Sequence, residues 1–128
     1  MLKLLFIAAG GALGAVLRYV VAGAVHIFFT GMYPLGTLLV NLIGSFIAGF
    51  LWHVSEEIIV APQVKTFIFI GILGGFTTFS TYMLETLNLF RDGETHLAVA
   101  NLLLNNLLGI VLIFSGFMLS QVFLNYFK

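Results

Sequence analysis

Four apolar runs divide the chain, at approximately 4–29, 35–55, 66–88 and 96–126, and the polar or turn-forming stretches TGMYP, EEIIVAPQVK and RDGET separate them. A membrane-crossing helix needs about 20 predominantly apolar residues, so each run is long enough to span a bilayer. The pattern predicts one all-α transmembrane domain over residues 1–128, with four helices and no soluble domain. The first run is too long for a signal-peptide core and ends at no clean small-residue cleavage site, so it reads as a retained span.

Polar residues inside these runs carry the functional information. Thr37, Asn41 and Ser45 recur every four residues and so share one face of the second helix, with Gly44 and Ala48 beside them. The fourth run repeats the pattern with Asn101, Asn105 and Gly109. Such stripes either tie helices together, at roughly 0.6 kcal/mol per bond, or line a pore whose amides and hydroxyls replace water around an anion. Arg18 follows Gly10 and Gly14 at intervals of four, beside a glycine ridge suited to close packing. An ionisable group within a span costs at least about 2.5 kcal/mol on insertion scales. Arg18 therefore either snorkels onto a neighbouring helix's carbonyls or supplies a fixed positive charge to a vestibule. In the third run, GGFTTFSTY sets two glycines before β-branched Thr77 and Thr78, a combination that weakens a helix and predicts a break near the centre of the span. Carbonyls freed there must be buried in protein, line a cavity or coordinate a cation. Beyond the break, Phe79 and Tyr82 share a face.

Composition agrees with a membrane protein: 61% of residues are hydrophobic and 8% charged, with a mean hydropathy of +1.15. A net charge of zero argues against a nucleic-acid partner. Without cysteine, thiol chemistry and disulfides are absent. His26, His53 and His96 are scattered without metal-ligand spacing and read as interfacial, and no nucleophile has a base at a plausible offset, so the chain does not read as an enzyme. Glu85 reads as a solvated carboxylate at a helix end, and all five acidic residues as lying at span ends or in loops. Lys3, Lys65 and Lys128 fall on one side of the membrane against Arg91 on the other, a bias blurred by Glu56 and Glu57. So small a bias permits insertion in both directions, and an antiparallel homodimer, as well as a single orientation.

GGALGAVLRY in the first run, GTLLVNLIGSF in the second and GGFTTFSTY in the third, in that order and over the whole chain, resemble the Fluc family of microbial fluoride channels. The resemblance implies a dual-topology antiparallel homodimer in the bacterial inner membrane, with two fluoride pores and passive conduction that lowers cytoplasmic fluoride. It also implies one structural sodium ion, held by the main-chain carbonyls of Gly74 and Thr77 from both chains. On the same ground Asn41, Phe79 and Tyr82 would form the pore with Thr37, Ser80 and Thr81, Asn101 and Asn105 would carry a polar track on the fourth helix, and Arg18 would stand near the vestibule. Three positions depart from the family pattern: Tyr82 stands where phenylalanine is usual, and Asn101 and Asn105 where tyrosine and serine are common. A small multidrug-type dual-topology exporter is the rival reading; it needs an embedded carboxylate, and the first run has none. A third reading, a non-conducting assembly subunit, would leave the polar stripes to helix packing alone.

Overall fold

The computed structural model describes residues 1–127, and among these every regular element is helical. Helix α1 is Leu2–Phe28 and α2 is Leu35–Glu57. The third span comprises α3 (Pro62–Lys65), a π-helical stretch Thr66–Leu73, α4 (Gly74–Phe76) and α5 (Phe79–Arg91), and α6 is Thr95–Tyr126. Among the described residues four stretches are long and apolar enough to cross a membrane: Leu2–Phe28, Leu35–Glu57, Pro62–Arg91 and Thr95–Tyr126. The third begins at Pro62 rather than at residue 66, because proline is harmless at the first helical position, where its missing N–H has no partner to lose. Gly93 closes the last connection with φ 79°, a left-handed conformation that only glycine adopts cheaply. Its N–H donates to the Phe90 carbonyl at 3.2 Å, ending α5 sharply so that α6 can return. The charge bias leans partly on Lys128, which lies outside the described residues.

Lipid gives helices no hydrophobic reason to associate, so close contact falls to small residues. A Cβ at Gly49 would collide with the Ile113 carbonyl, and one at Gly116 with the Phe46 carbonyl, so α2 and α6 meet backbone to backbone at two levels. The glycine ridge of α1 does the same against the third span. A Cβ on Gly10 would lie 2.6 Å from the Phe67 oxygen, and one on Gly14 would strike the Ile72 oxygen. From the other side, Gly75 faces the Gly11 oxygen, 2.6 Å from where its own Cβ would be. Gly74 and Gly75 therefore stay helical, and the chain turns extended only at Thr77 (ψ 154°) and Thr78 (ψ 116°). Gly75 serves packing against α1, whereas a Cβ on Gly74 would meet only the Phe69 oxygen at 3.7 Å, and the departure from helix lies two residues beyond the pair.

His53 departs from the interfacial reading. It is buried, its Nδ1 lies 3.0 Å from Ser120 Oγ, and its ring meets Phe117 edge-on at 4.9 Å, linking α2 to α6. Among the described residues no group of three or more His, Cys, Asp or Glu could hold a metal.

Gly49→Leu should lower unfolding stability in detergent by about 1–3 kcal/mol through overpacking. Gly23→Ala, where nothing lies within 4 Å of the added carbon, should not lower it.

Candidate functional site

The Thr77 N–H still reaches the Leu73 carbonyl at 3.0 Å, but the extended Thr78 has no helical partner, and α2 supplies the replacement. Asn41 Oδ1 accepts from the Thr78 N–H at 2.8 Å, while Asn41 Nδ2 donates to the Thr78 carbonyl at 3.1 Å. One amide thus satisfies both main-chain groups of a residue that hydrocarbon would otherwise penalise. The orientation of the Asn41 amide follows from the Thr78 N–H, since only an oxygen can receive it. Thr78 also caps α5, its Oγ1 accepting from the Thr81 N–H at 3.3 Å. The amides of Thr78 and Thr81 are therefore committed away from the carbonyls of Gly74 and Thr77, four residues before them, to which a continuous helix would have bonded them.

A chain of amides continues from Asn41. Its Nδ2 donates to Asn105 Oδ1 at 3.0 Å, Asn105 Nδ2 donates to Asn101 Oδ1 at 2.9 Å, and Asn101 Nδ2 donates to Thr86 Oγ1 at 2.9 Å. The Tyr33 hydroxyl joins this chain at Asn101 Oδ1, 3.3 Å away. Tyr33 lies in the connection before α2, where burial, then the Glu85 charge and then Tyr82, pushes its phenol above the usual tyrosine range.

Two cavities flank the tie between Asn41 and Thr78. The first, about 380 Å³, is lined by Asn41, Ser45, Gly74, Thr77, Phe79, Tyr82, Asn105 and Asn106 together with apolar residues. Among the described residues no charged side chain lines it. The Phe79 and Tyr82 rings meet edge-on, with centroids 5.5 Å apart, and Phe79 is 70% exposed. The second, about 670 Å³, is lined by Arg18, His26, Thr37, Thr78 and Thr81 among others.

The expected site residues divide between these spaces. Asn41, Phe79, Tyr82, Asn105, Gly74 and Thr77 share the first cavity, while Arg18, Thr37 and Thr81 share the second. Ser80 is exposed and lines neither; Asn101 is buried behind Asn105, within the amide chain. The stripe Thr37, Asn41, Ser45 is thus divided at Asn41.

Glu85 was expected to be solvated and is half-buried. Thr37 Oγ1 donates to its Oε1 at 2.6 Å, and its Oε2 is buried with no partner among the described residues. Glu85 stands seven positions after Thr78 and three after Tyr82, and that helical spacing was the signal that placed it on the inward face. Asn106 was also missed: its Nδ2 donates to the Tyr82 hydroxyl at 2.9 Å.

Asn41→Asp places carboxylate oxygens against the Thr78 carbonyl and Asn105 Oδ1, and thermal unfolding in detergent should show a loss of about 1–3 kcal/mol. Tyr33 has a raised folded-state pKa, so the stability it contributes is intact below the unfolded tyrosine value of about 10 and is lost as pH rises through the folded one. An alkaline absorbance titration should show a late-ionising component that is lost in Tyr33→Phe.

A profile for the family described as CrcB-like protein, Camphor Resistance (CrcB), matches residues 5–117. The chain is 45% identical to the fluoride-specific ion channel FluC of Desulforapulum autotrophicum, over 94% of this chain and 97% of that protein. It is 39% identical to the protein of the same name from Parabacteroides distasonis, over 94% of each chain. With that of Magnetococcus marinus the identity is 41%, over 94% and 99%.

Proposed function

The chain belongs to the CrcB-like family of multi-pass bacterial membrane proteins, and on that footing we propose that it is a fluoride-selective passive channel. The observation that carries the reading is the first cavity, set at the Asn41–Thr78 tie in the membrane-spanning region and lined, among the described residues, by amides, hydroxyls and aromatic rings without a carboxylate. Fluoride is small and strongly hydrated. A path must offset its dehydration with donors yet hold it loosely enough to release it. Ring edges carry the positive part of the aromatic quadrupole and can face an anion, and the Arg18 cavity on the other side of the tie would gather anions from water. Hydrogen fluoride enters cells neutral and ionises inside, so a passive anion path lets a negative membrane potential drive the ion out.

The finer reading is an antiparallel homodimer with two pores and a central sodium ion. Support for the sodium site comes from the main chain: the Thr78 and Thr81 amides turn to Asn41 Oδ1 and Thr78 Oγ1, leaving the Gly74 and Thr77 carbonyls without their helical donors. Such oxygens suit a hard cation. A cation bound there would satisfy them and lend positive potential to nearby anion paths.

Half-buried Glu85, whose Oε2 is buried with no partner among the described residues, favours one other reading, proton-coupled exchange. Liposomes loaded with fluoride and holding the purified protein separate the two. After addition of a potassium ionophore, a channel releases fluoride rapidly and chloride little, at a rate that an imposed pH gradient does not change. Release that requires the pH gradient would establish exchange instead; release of neither ion from folded protein would leave the polar stripes as helix packing. Replacing sodium by N-methylglucamine throughout should slow fluoride release, and restoring sodium should recover it.

A further inference from the structure

The side-chain donors of the first cavity can be followed one at a time. Both N–H groups of Asn41 are committed, to the Thr78 carbonyl and to Asn105 Oδ1. Asn105 donates only to Asn101, through that residue's carbonyl and its Oδ1. Ser45 Oγ donates to the Asn41 carbonyl and Thr77 Oγ1 to the Leu73 carbonyl. Asn106 Nδ2 donates to the Tyr82 hydroxyl at 2.9 Å and to the Leu102 carbonyl at 2.7 Å.

Tyr82 is different. Its hydroxyl accepts from Asn106, so its own proton cannot point at that nitrogen, and no acceptor among the described residues takes it. The residue is 2% exposed and lines the cavity. A buried phenol ordinarily finds a partner for its proton, and the cavity that Tyr82 and Asn106 both line offers space for one. Asn41, by contrast, cannot serve an anion without abandoning the main chain that it supports.

We propose that the Tyr82 hydroxyl, oriented by Asn106, is a halide-binding donor in this cavity, so that an anion is held there by an O–H bond in addition to the ring edges. The proposal rests on the reading of the chain as a fluoride channel and names the group that sets its affinity. Asn106 fixes the hydroxyl oxygen and, as a donor itself, forces the proton toward the cavity. The accepting hydroxyl also becomes a better donor, because hydrogen bonds in a chain polarise one another. Fluoride, the most compact halide and the strongest acceptor, gains most from such a group.

The experiment compares the unmodified protein with Tyr82→Phe and Asn106→Leu in two readouts. One is the fluoride concentration that half-saturates release from liposomes; the other is the tyrosine ultraviolet difference spectrum on adding sodium fluoride to the protein in detergent. Tyr82→Phe leaves Asn106 still bonded to Leu102, so the fold retains its amide. In that variant the half-saturating concentration should rise about tenfold, as expected for loss of one hydrogen bond to a charged group, and the spectral change should vanish. Asn106→Leu should keep the spectral change and show a smaller rise. Unaltered half-saturation and an unaltered spectrum in Tyr82→Phe, with fluoride still released, would overturn the proposal and leave the pair as a tie between α5 and α6. A spectral change without fluoride release in the unmodified protein would keep the anion site and overturn the channel reading.

Discussion

Backbone polar groups have no water to turn to in hydrocarbon, and the arrangement of this protein depends on how that demand is met at Thr77 and Thr78. Asn41 answers with both atoms of one amide, giving Thr78 an acceptor and a donor at once. The remaining amide hydrogen goes to Asn105, which ties α6 to the same point. An extended pair that would be costly in lipid is thereby fixed where α2, the third span and α6 come together. The two cavities lie on either side of it.

Small residues make this convergence possible. Gly49 and Gly116 bring α2 and α6 to backbone contact, and Gly10, Gly14 and Gly75 do so for α1 and the third span. With main chains this close, short polar side chains such as Asn41, Thr86 and Asn101 reach across and complete one another's bonds. Helix packing and the polar network are accordingly two consequences of the same spacing. The network commits nearly every donor around the first cavity, so most polar residues there shape the space and few are free to bind anything in it.

Much of this was legible in the sequence, for reasons that particular residues show. Apolar runs longer than a bilayer is thick leave little choice but helices, so the four spans could be read within a few residues. The ridge of Gly10 and Gly14 could be read because a four-residue interval fixes a helical face. Asn41, Phe79 and Tyr82 could be brought to one region by motif, and they do share a cavity. What sequence could not supply was bonding partners. Asn41 read from its spacing either as a tie between helices or as a donor to an anion, and only the structure shows its hydrogens going to Thr78 and Asn105. The glycine pair and the two threonines together marked the centre of the third span as weak; Gly75 is used against α1, and the extended residues are Thr77 and Thr78. Glu85 looked solvated because it lies toward the end of an apolar run, although the turn of α5 carries it inward to Thr37.

Whether this cavity conducts, and what it conducts, can be asked in one recording: the reversal potential of the purified protein in a planar bilayer with fluoride on one side and chloride on the other. A current that reverses close to the equilibrium potential of fluoride, and stays there when chloride or pH is changed, is the result this account predicts. A reversal potential that follows chloride or the proton gradient, or no current from protein shown to be folded, would contradict it.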